Sequence, residues 1–192
     1  MHAPARTGKA GAGRLVGLGL LLAGLAYPFV VYGARDSLSP RLFALLLGVL
    51  WLARMLTAQQ TAMSRTMTVT ALLFCLLLGW ADDTALLLWY PVLISLALLG
   101  LFAGSLIAGT PVIERLARLS EPDLPPAAVR YTRTVTWVWV GFFILNASAA
   151  GALALWAPLA WWTLYTGLIA YLLMGALFAG EWLVRQHVRK NA

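Results

Sequence analysis

Charge is scarce in this sequence of 192 residues. Charged side chains make up 11% and hydrophobic ones 61%, with a mean hydropathy of +0.82. A water-soluble domain carries about 25% charged residues, so an ordinary soluble globule is excluded, and so is a disordered chain. A polytopic membrane protein remains. Histidine and cysteine are scarcer still. There are two histidines, His2 and His187, in the terminal tails, and one cysteine, Cys75, inside an apolar run. No internal disulfide is possible, and no His/Cys cluster has metal-ligand spacing. A histidine-based catalytic triad has no histidine to use, and neither a GxxxxGK phosphate loop nor a GxSxG nucleophile elbow occurs. No metal or cofactor is therefore expected.

Acidic residues are absent from the places where a coupled transporter needs them. The 7 acids, Asp36, Asp82, Asp83, Glu114, Glu121, Asp123 and Glu181, all fall near the ends of apolar runs and none at a midplane. Proton- and sodium-coupled carriers bury ionisable groups along their path, which counts against that class here. No span reads as discontinuous, another feature common at transporter sites.

The apolar runs themselves predict an all-α bundle of six spans in a single transmembrane domain, 1–192. A helix needs about 20 apolar residues to cross the hydrocarbon core. The expected spans are 15–34, 40–57, 66–81, 84–107, 135–155 and 159–183, with a connector at 109–133. Residues 134–180 carry no charge, which is too long for one crossing and suits two joined at Trp156-Ala157-Pro158. Unbroken apolarity, without alternation, excludes β-barrel strands. The first run exceeds the about 7–15 residues of a cleavable signal, so an uncleaved anchor is expected. Pro28 and Pro91 are expected to kink their helices.

The net charge of +7 follows topology and not nucleic-acid binding, because the basic residues bracket the spans. With the amino terminus inside, Arg6, Lys9, Arg14, Arg54, Arg65, Arg115, Arg118, Arg130, Arg133, Arg185, Arg189 and Lys190 share the cytoplasmic side. Only Arg35 and Arg41 fall outside. Tryptophan agrees: Trp80, Trp89, Trp156, Trp161 and Trp162 map to the outer boundary, and Trp51, Trp137, Trp139 and Trp182 to the inner one, as interfacial belts. Gly100 and Gly104, with Ala147 and Gly151, predict close helix packing.

Two places could carry chemistry. Asn146, with Ser148 two residues on, is the conspicuous polar residue inside a span. An interhelical hydrogen bond is the expectation and a substrate contact the alternative. The connector is the other. Thr110-Pro111 predicts a helix start, with Thr110 as N-cap and Pro111 in the first turn. Val112, Ile113, Leu116 and Leu119 would form its apolar face, with Glu114, Arg115 and Arg118 turned elsewhere. Ser120–Pro126 ends that helix, and the chain re-enters through Arg130, Tyr131 and Arg133. Arg115, Arg118, Arg130 and Arg133 form either a positively charged anchor or a docking surface, in which Glu114 and Tyr131 share.

The string Thr110–Arg118, the Leu124-Pro125-Pro126 turn, Arg130–Arg133, Phe142-Phe143 with Asn146, Leu164-Tyr165 with Gly167, and Glu181 with Arg185 resemble a family of small bacterial inner-membrane proteins that accompany aryl-polyene (xanthomonadin-type) pigment biosynthesis. The likeness covers the carboxy-terminal half; the first two spans match in hydropathy only. It implies a pathway and no reaction, and it carries over no catalytic residue. The implied role is a multi-pass inner-membrane accessory protein supporting synthesis or transfer of a polyene or polyketide lipid at the cytoplasmic face. Its partners would be the lipid bilayer and an acyl carrier protein or other proteins of that pathway, and no nucleic acid. A lipid or small-molecule permease or flippase component is the alternative. An integral-membrane transferase fits least, for want of acid/base residues.

With both termini cytoplasmic, a reporter fused at Pro158 should read as periplasmic and one at the carboxy terminus as cytoplasmic. Both on the same side would contradict six spans.

Overall fold

A computed structural model describes residues 6–34, 39–57 and 61–190. His2, Arg35 and Asp36 lie outside the described residues, as do the side chains of Arg6, Lys9, Arg14, Arg185, His187, Arg189 and Lys190. The described chain is helical and contains no strand. Six of its helical segments are long and apolar enough to cross a membrane. The chain forms two compact units, 1–98 and 99–192.

The first unit contains α1 (Arg6–Ala34), α2 (Pro40–Thr57), α3 (Ala62–Ala81), a 3-10 turn (Thr84–Trp89) and the start of α4 (Tyr90–Ile107). Helix α3 begins four residues before the expected span, because Thr61 caps it: its side chain accepts from the Ser64 N–H at 3.1 Å. At its other end Asp82 takes the left-handed conformation (φ 51°), and its N–H bonds the Leu78 carbonyl. Asp83 then caps the 3-10 turn through Oδ1, which accepts from the Ala85 N–H at 2.8 Å. Asp82 also pairs with Arg41 (3.1 Å), so the end of α3 lies beside the start of α2 and the two helices run antiparallel.

Small residues are packed at Ala147 and Gly151, as expected, but not at Gly100 and Gly104, and α2 and α3 add a close approach of their own. A Cβ on Gly48 would stand 3.9 Å from that of Cys75, and one on Gly79 would stand 3.8 Å from that of Ala44, so α2 and α3 approach closely. Around Gly100 and Gly104 there is open space among the described residues. A GxxxG spacing marks a strip that permits close approach, and here no neighbour takes it up.

Pro28 leaves α1 unbroken as far as Ala34. Pro91 acts differently from a kink: it sits at the second position of α4, directly after the 3-10 turn. Proline has no N–H to offer the carbonyl four residues earlier, which is that of Leu87. Leu87 is served twice by other means. The Tyr90 N–H reaches it in the 3-10 pattern, and the buried Tyr27 hydroxyl of α1 donates to it. Tyr27 further packs against Phe43 and Tyr90, with ring centroids 5.1 and 5.0 Å away.

The second unit continues α4 and adds α5 (Val112–Arg118), α6 (Pro126–Trp156), α7 (Leu159–Leu164), a π-helical turn (Tyr165–Ile169) and α8 (Ala170–Lys190). The break between α6 and α7 falls at Ala157-Pro158, as expected. The sixth span is not uniform, since the π turn interrupts it. Helix α6 starts at Pro126 and has 31 residues. At 1.5 Å per residue it is about 46 Å long, well beyond the hydrocarbon core. Arg130 and Arg133, expected at the end of the connector where the chain re-enters, thus stand near the start of this helix.

Not every tryptophan is a belt residue. Trp80 and Trp156 are exposed at 83% and 80%, but Trp162 is fully buried and Trp139 nearly so. Successive residues on a helix point about 100° apart, so Trp161 and Trp162 face different directions, and Trp137 and Trp139, two apart, lie on nearly opposite sides. Trp139 joins Phe102, Phe142, Phe143 and Phe178 in an aromatic cluster, with centroids 4.7 to 6.3 Å apart.

Tyr27→Phe should lower stability by about 0.6–1.7 kcal/mol, the range for interhelical hydrogen bonds. In a Pro91→Ala background, where residue 91 again supplies an N–H to Leu87, the same substitution should cost less. Equal costs in the two backgrounds, read as thermal unfolding in detergent, would show that Tyr27 does not serve the proline-freed carbonyl.

Candidate functional site

The connector of the second unit is held at both ends by side chains. Pro111, not Thr110, is the N-cap of α5, and no side chain of its own caps it. The role expected of Thr110 falls to Ser105, near the end of α4. Its Oγ accepts from the buried Val112 N–H at 3.0 Å and donates to the Phe102 carbonyl at 2.7 Å. A proline N-cap has no hydroxyl or carboxylate to fold back, so the donor must find its acceptor on the preceding helix.

The facing of α5 departs from expectation at Glu114; Val112 is buried and Arg115 and Arg118 are exposed, as expected. Glu114 is buried at 6%, whereas Leu116 and Leu119 are 51% and 82% exposed. The reason is an ion pair. Oε1 of Glu114 accepts from Nε and Nη2 of Arg118 at 2.9 and 2.7 Å, and Nη1 of Arg118 donates to the Pro122 carbonyl at 2.8 Å. A carboxylate buried against its i+4 arginine is satisfied, and the arginine's remaining fork closes the turn that ends the helix. Arg118 is thus a clamp within the connector.

Two further residues of the expected docking surface bond to backbone carbonyls, Tyr131 half-buried and Arg133 exposed. The Tyr131 hydroxyl donates to the backbone carbonyl of Glu181, tying α6 to α8 at 3.2 Å. Arg133 donates through Nη2 to the Leu106 carbonyl, near the end of α4, at 3.4 Å. Arg115 and Arg130 are exposed and make no side-chain hydrogen bond or ion pair among the described residues. Of the six residues expected to bind a partner or headgroup, these two have no side-chain partner among the described residues.

These restraints enclose a cavity of about 280 Å³ walled by α5, the turn after it, the start of α6, and α8. Ile113, Leu116, Ala117, Leu124, Ala128 and Phe178 make it apolar, while Ser120, Glu121, Tyr131, Thr132 and Glu181 add polar groups. Glu121 is exposed and Glu181 half-buried. Sequence reasoning placed both acids at span ends but did not bring them together, because they stand on elements far apart in the chain. The Tyr131–Glu181 bond ties α8 to α6, the helix that follows the turn on which Glu121 sits.

Asn146 lies apart from the connector. It is half-buried on α6, and its Oδ1 accepts from the Tyr165 hydroxyl at 3.1 Å. Tyr165 opens the π turn, in which the Ala170 N–H reaches back to the Tyr165 carbonyl. The pair lines an open apolar groove of about 530 Å³ with Phe142, Leu145 and Leu173. Ser148, its expected companion, is exposed. Four buried hydroxyls elsewhere turn back on their own helices: Thr68, Ser95, Thr136 and Thr166 each bond the carbonyl four residues earlier, at 2.8 or 2.9 Å. Among the described residues, no group of three or more His, Cys, Asp or Glu is placed to hold a metal ion.

Fold and composition together define a multi-pass helical membrane protein. No protein-family model, curated protein or solved structure matches the chain.

Glu114→Gln should loosen the connector, because it strips Arg118 of its buried counter-charge. A loss on the order of 1–3 kcal/mol is expected. Proteolytic cutting between Leu119 and Pro125 should rise with it. A variant as protected as the wild type would show that the ion pair does not hold the turn.

Proposed function

We propose that this protein is an accessory component of a bacterial inner membrane that supports synthesis or transfer of an acyl-type lipid at the cytoplasmic face. The aryl-polyene pathway implied by its sequence resemblance is the setting proposed for it. The connector cavity is the observation that carries this reading. A pocket of about 280 Å³ with an apolar wall and a polar rim can hold a segment of hydrocarbon chain while its polar end stays wet. A cavity of this kind at the end of a bundle suits a chain that is passed between a soluble carrier and the membrane.

The outward arginines supply the second half of the reading. Arg115 is on α5 and Arg130 is on α6, the two helices that wall the cavity. An acyl carrier protein is acidic and presents its cargo on a phosphopantetheine arm. Guanidinium groups suit both its carboxylates and that phosphate. Arg118 and Arg133 belong to the scaffold, so a docking partner would meet Arg115 and Arg130 and not all four.

Two variants test the proposal separately. Replacing Arg115 and Arg130 together by lysine keeps the charge that orients the helices and removes the planar fork. Ala128→Trp fills the cavity without touching charge. Each should leave insertion intact and lower the output of the lipid product several-fold in cells that carry the pathway. Wild-type output from both would remove the connector as a site of function.

A further inference from the structure

The first unit contains a second cavity, of about 300 Å³, along the contact between α1 and α2. Its walls are apolar, running from an aromatic end at Tyr27, Phe43 and Tyr90 to Leu20 and Trp51. Phe43 and Trp51 stand a little over two turns apart on α2, so the cavity follows that helix for about 12 Å. It is a slot in shape, suited to one extended hydrocarbon chain.

Polar groups lie at one end of it. The Trp51 indole Nε1 is buried and has no hydrogen-bond acceptor among the described residues. A buried donor left unmade is costly, and each such group in a folded protein calls for a partner. One turn further along the same face of α2 is Arg54. It is half-buried, and its Nη1 lies 3.5 Å from where a Cβ on Gly17 of α1 would stand, so the guanidinium rests against α1. Among the described residues Arg54 has no carboxylate and no other side-chain partner. Arg41 and Arg118, by contrast, each have one.

Along one helix face the order is therefore an apolar slot, an unpaired neutral donor, and an unpaired cation. A membrane lipid has the complementary order of acyl chain, ester carbonyl and phosphate. We propose that this cavity is a binding site for one anionic glycerophospholipid. One acyl chain occupies the slot, its ester carbonyl accepts from Trp51 Nε1, and the phosphate meets Arg54. An arginine that merely snorkels to the interface explains the cation and leaves both the orphan indole and the slot unexplained.

The test uses the full-length protein, purified in detergent, stripped of lipid and reloaded with phosphatidylglycerol or phosphatidylcholine. Retained lipid is read by mass spectrometry and stability by thermal unfolding. The wild type should retain phosphatidylglycerol preferentially and gain stability from it. Arg54→Gln should weaken that retention about fivefold, the worth of one basic residue at an anionic headgroup. Trp51→Phe keeps the ring packing and deletes only the donor. Without lipid it should be as stable as the wild type or more so, and with phosphatidylglycerol it should gain less. A merely structural tryptophan would give the opposite sign in the lipid-free protein. Equal retention of the two lipids by the wild type would overturn the proposal, as would undiminished retention in both variants. Inorganic phosphate should give no shift; a shift matching that of the lipid would mark a phosphate site and not a lipid site.

Discussion

A backbone group that loses its partner inside hydrocarbon has no water to turn to, and this constraint shapes the irregular points within the spans. The Leu87 carbonyl shows it most directly. Pro91 removes the donor that an α-helix would supply, the chain tightens into a 3-10 turn, and a tyrosine from α1 supplies a further donor. Tyr27 is therefore fixed in place by a proline more than sixty positions away. Its ring then organises Phe43 and Tyr90 around it, and those aromatics close one end of the α1–α2 cavity. The same logic operates at Val112, whose N–H is left to Ser105 because Pro111 cannot cap it. At the π turn, the Ala170 N–H is satisfied one residue further back than usual.

Charge obeys a related rule at the connector. Glu114 can be buried only because Arg118 meets it with two donors, and Arg118 can then hold the turn at Pro122. Insertion depends on the summed positive charge near a span and not on the direction each guanidinium takes. The fold is thus free to spend some of those arginines internally. Arg118 and Arg133 are spent on backbone carbonyls at Pro122 and Leu106, while Arg115 and Arg130 are not. One set of residues meets a topological requirement collectively and divides its structural tasks individually.

That division explains what the sequence could and could not reveal. Spans are legible because hydrophobic length is a one-dimensional property, and the six segments fall where unbroken apolar runs predict them. The facing of α5 is not legible in the same way. Over 7 residues the apolar and charged positions share a surface, and which side is buried depends on whether the carboxylate finds a partner. Gly100 and Gly104 have the spacing for close packing, but spacing does not reveal whether a neighbour arrives; Ala44 with Gly48 and Cys75 with Gly79 have the same four-residue spacing of small residues and do have the neighbour, each other. Trp139 and Trp162 read as belt residues because composition places them near span ends, whereas helix rotation turns them inward. The pairing of Asn146 was anticipated in kind, though its partner depends on a π turn that no local signal announces.

The candidate site emerges from contacts of this last, unannounced kind. Glu121 and Glu181 come to one cavity because Tyr131 spans from α6 to the Glu181 backbone, and because Arg118 holds the turn on which Glu121 sits. Remove either restraint and the cavity loses a wall, although no residue that would touch a ligand has changed. The tyrosine and the arginine therefore act on the site through geometry, whereas Ile113, Leu124 and Phe178 act on it through the surface they present. Short polar ties of this sort are favoured in a membrane, because apolar side chains are as well solvated by lipid as by one another and supply little force to hold helices in register. In the second unit the polar ends of α4, α5, α6 and α8 are fastened together by a few such bonds. The cavity is the space that this fastening leaves between them.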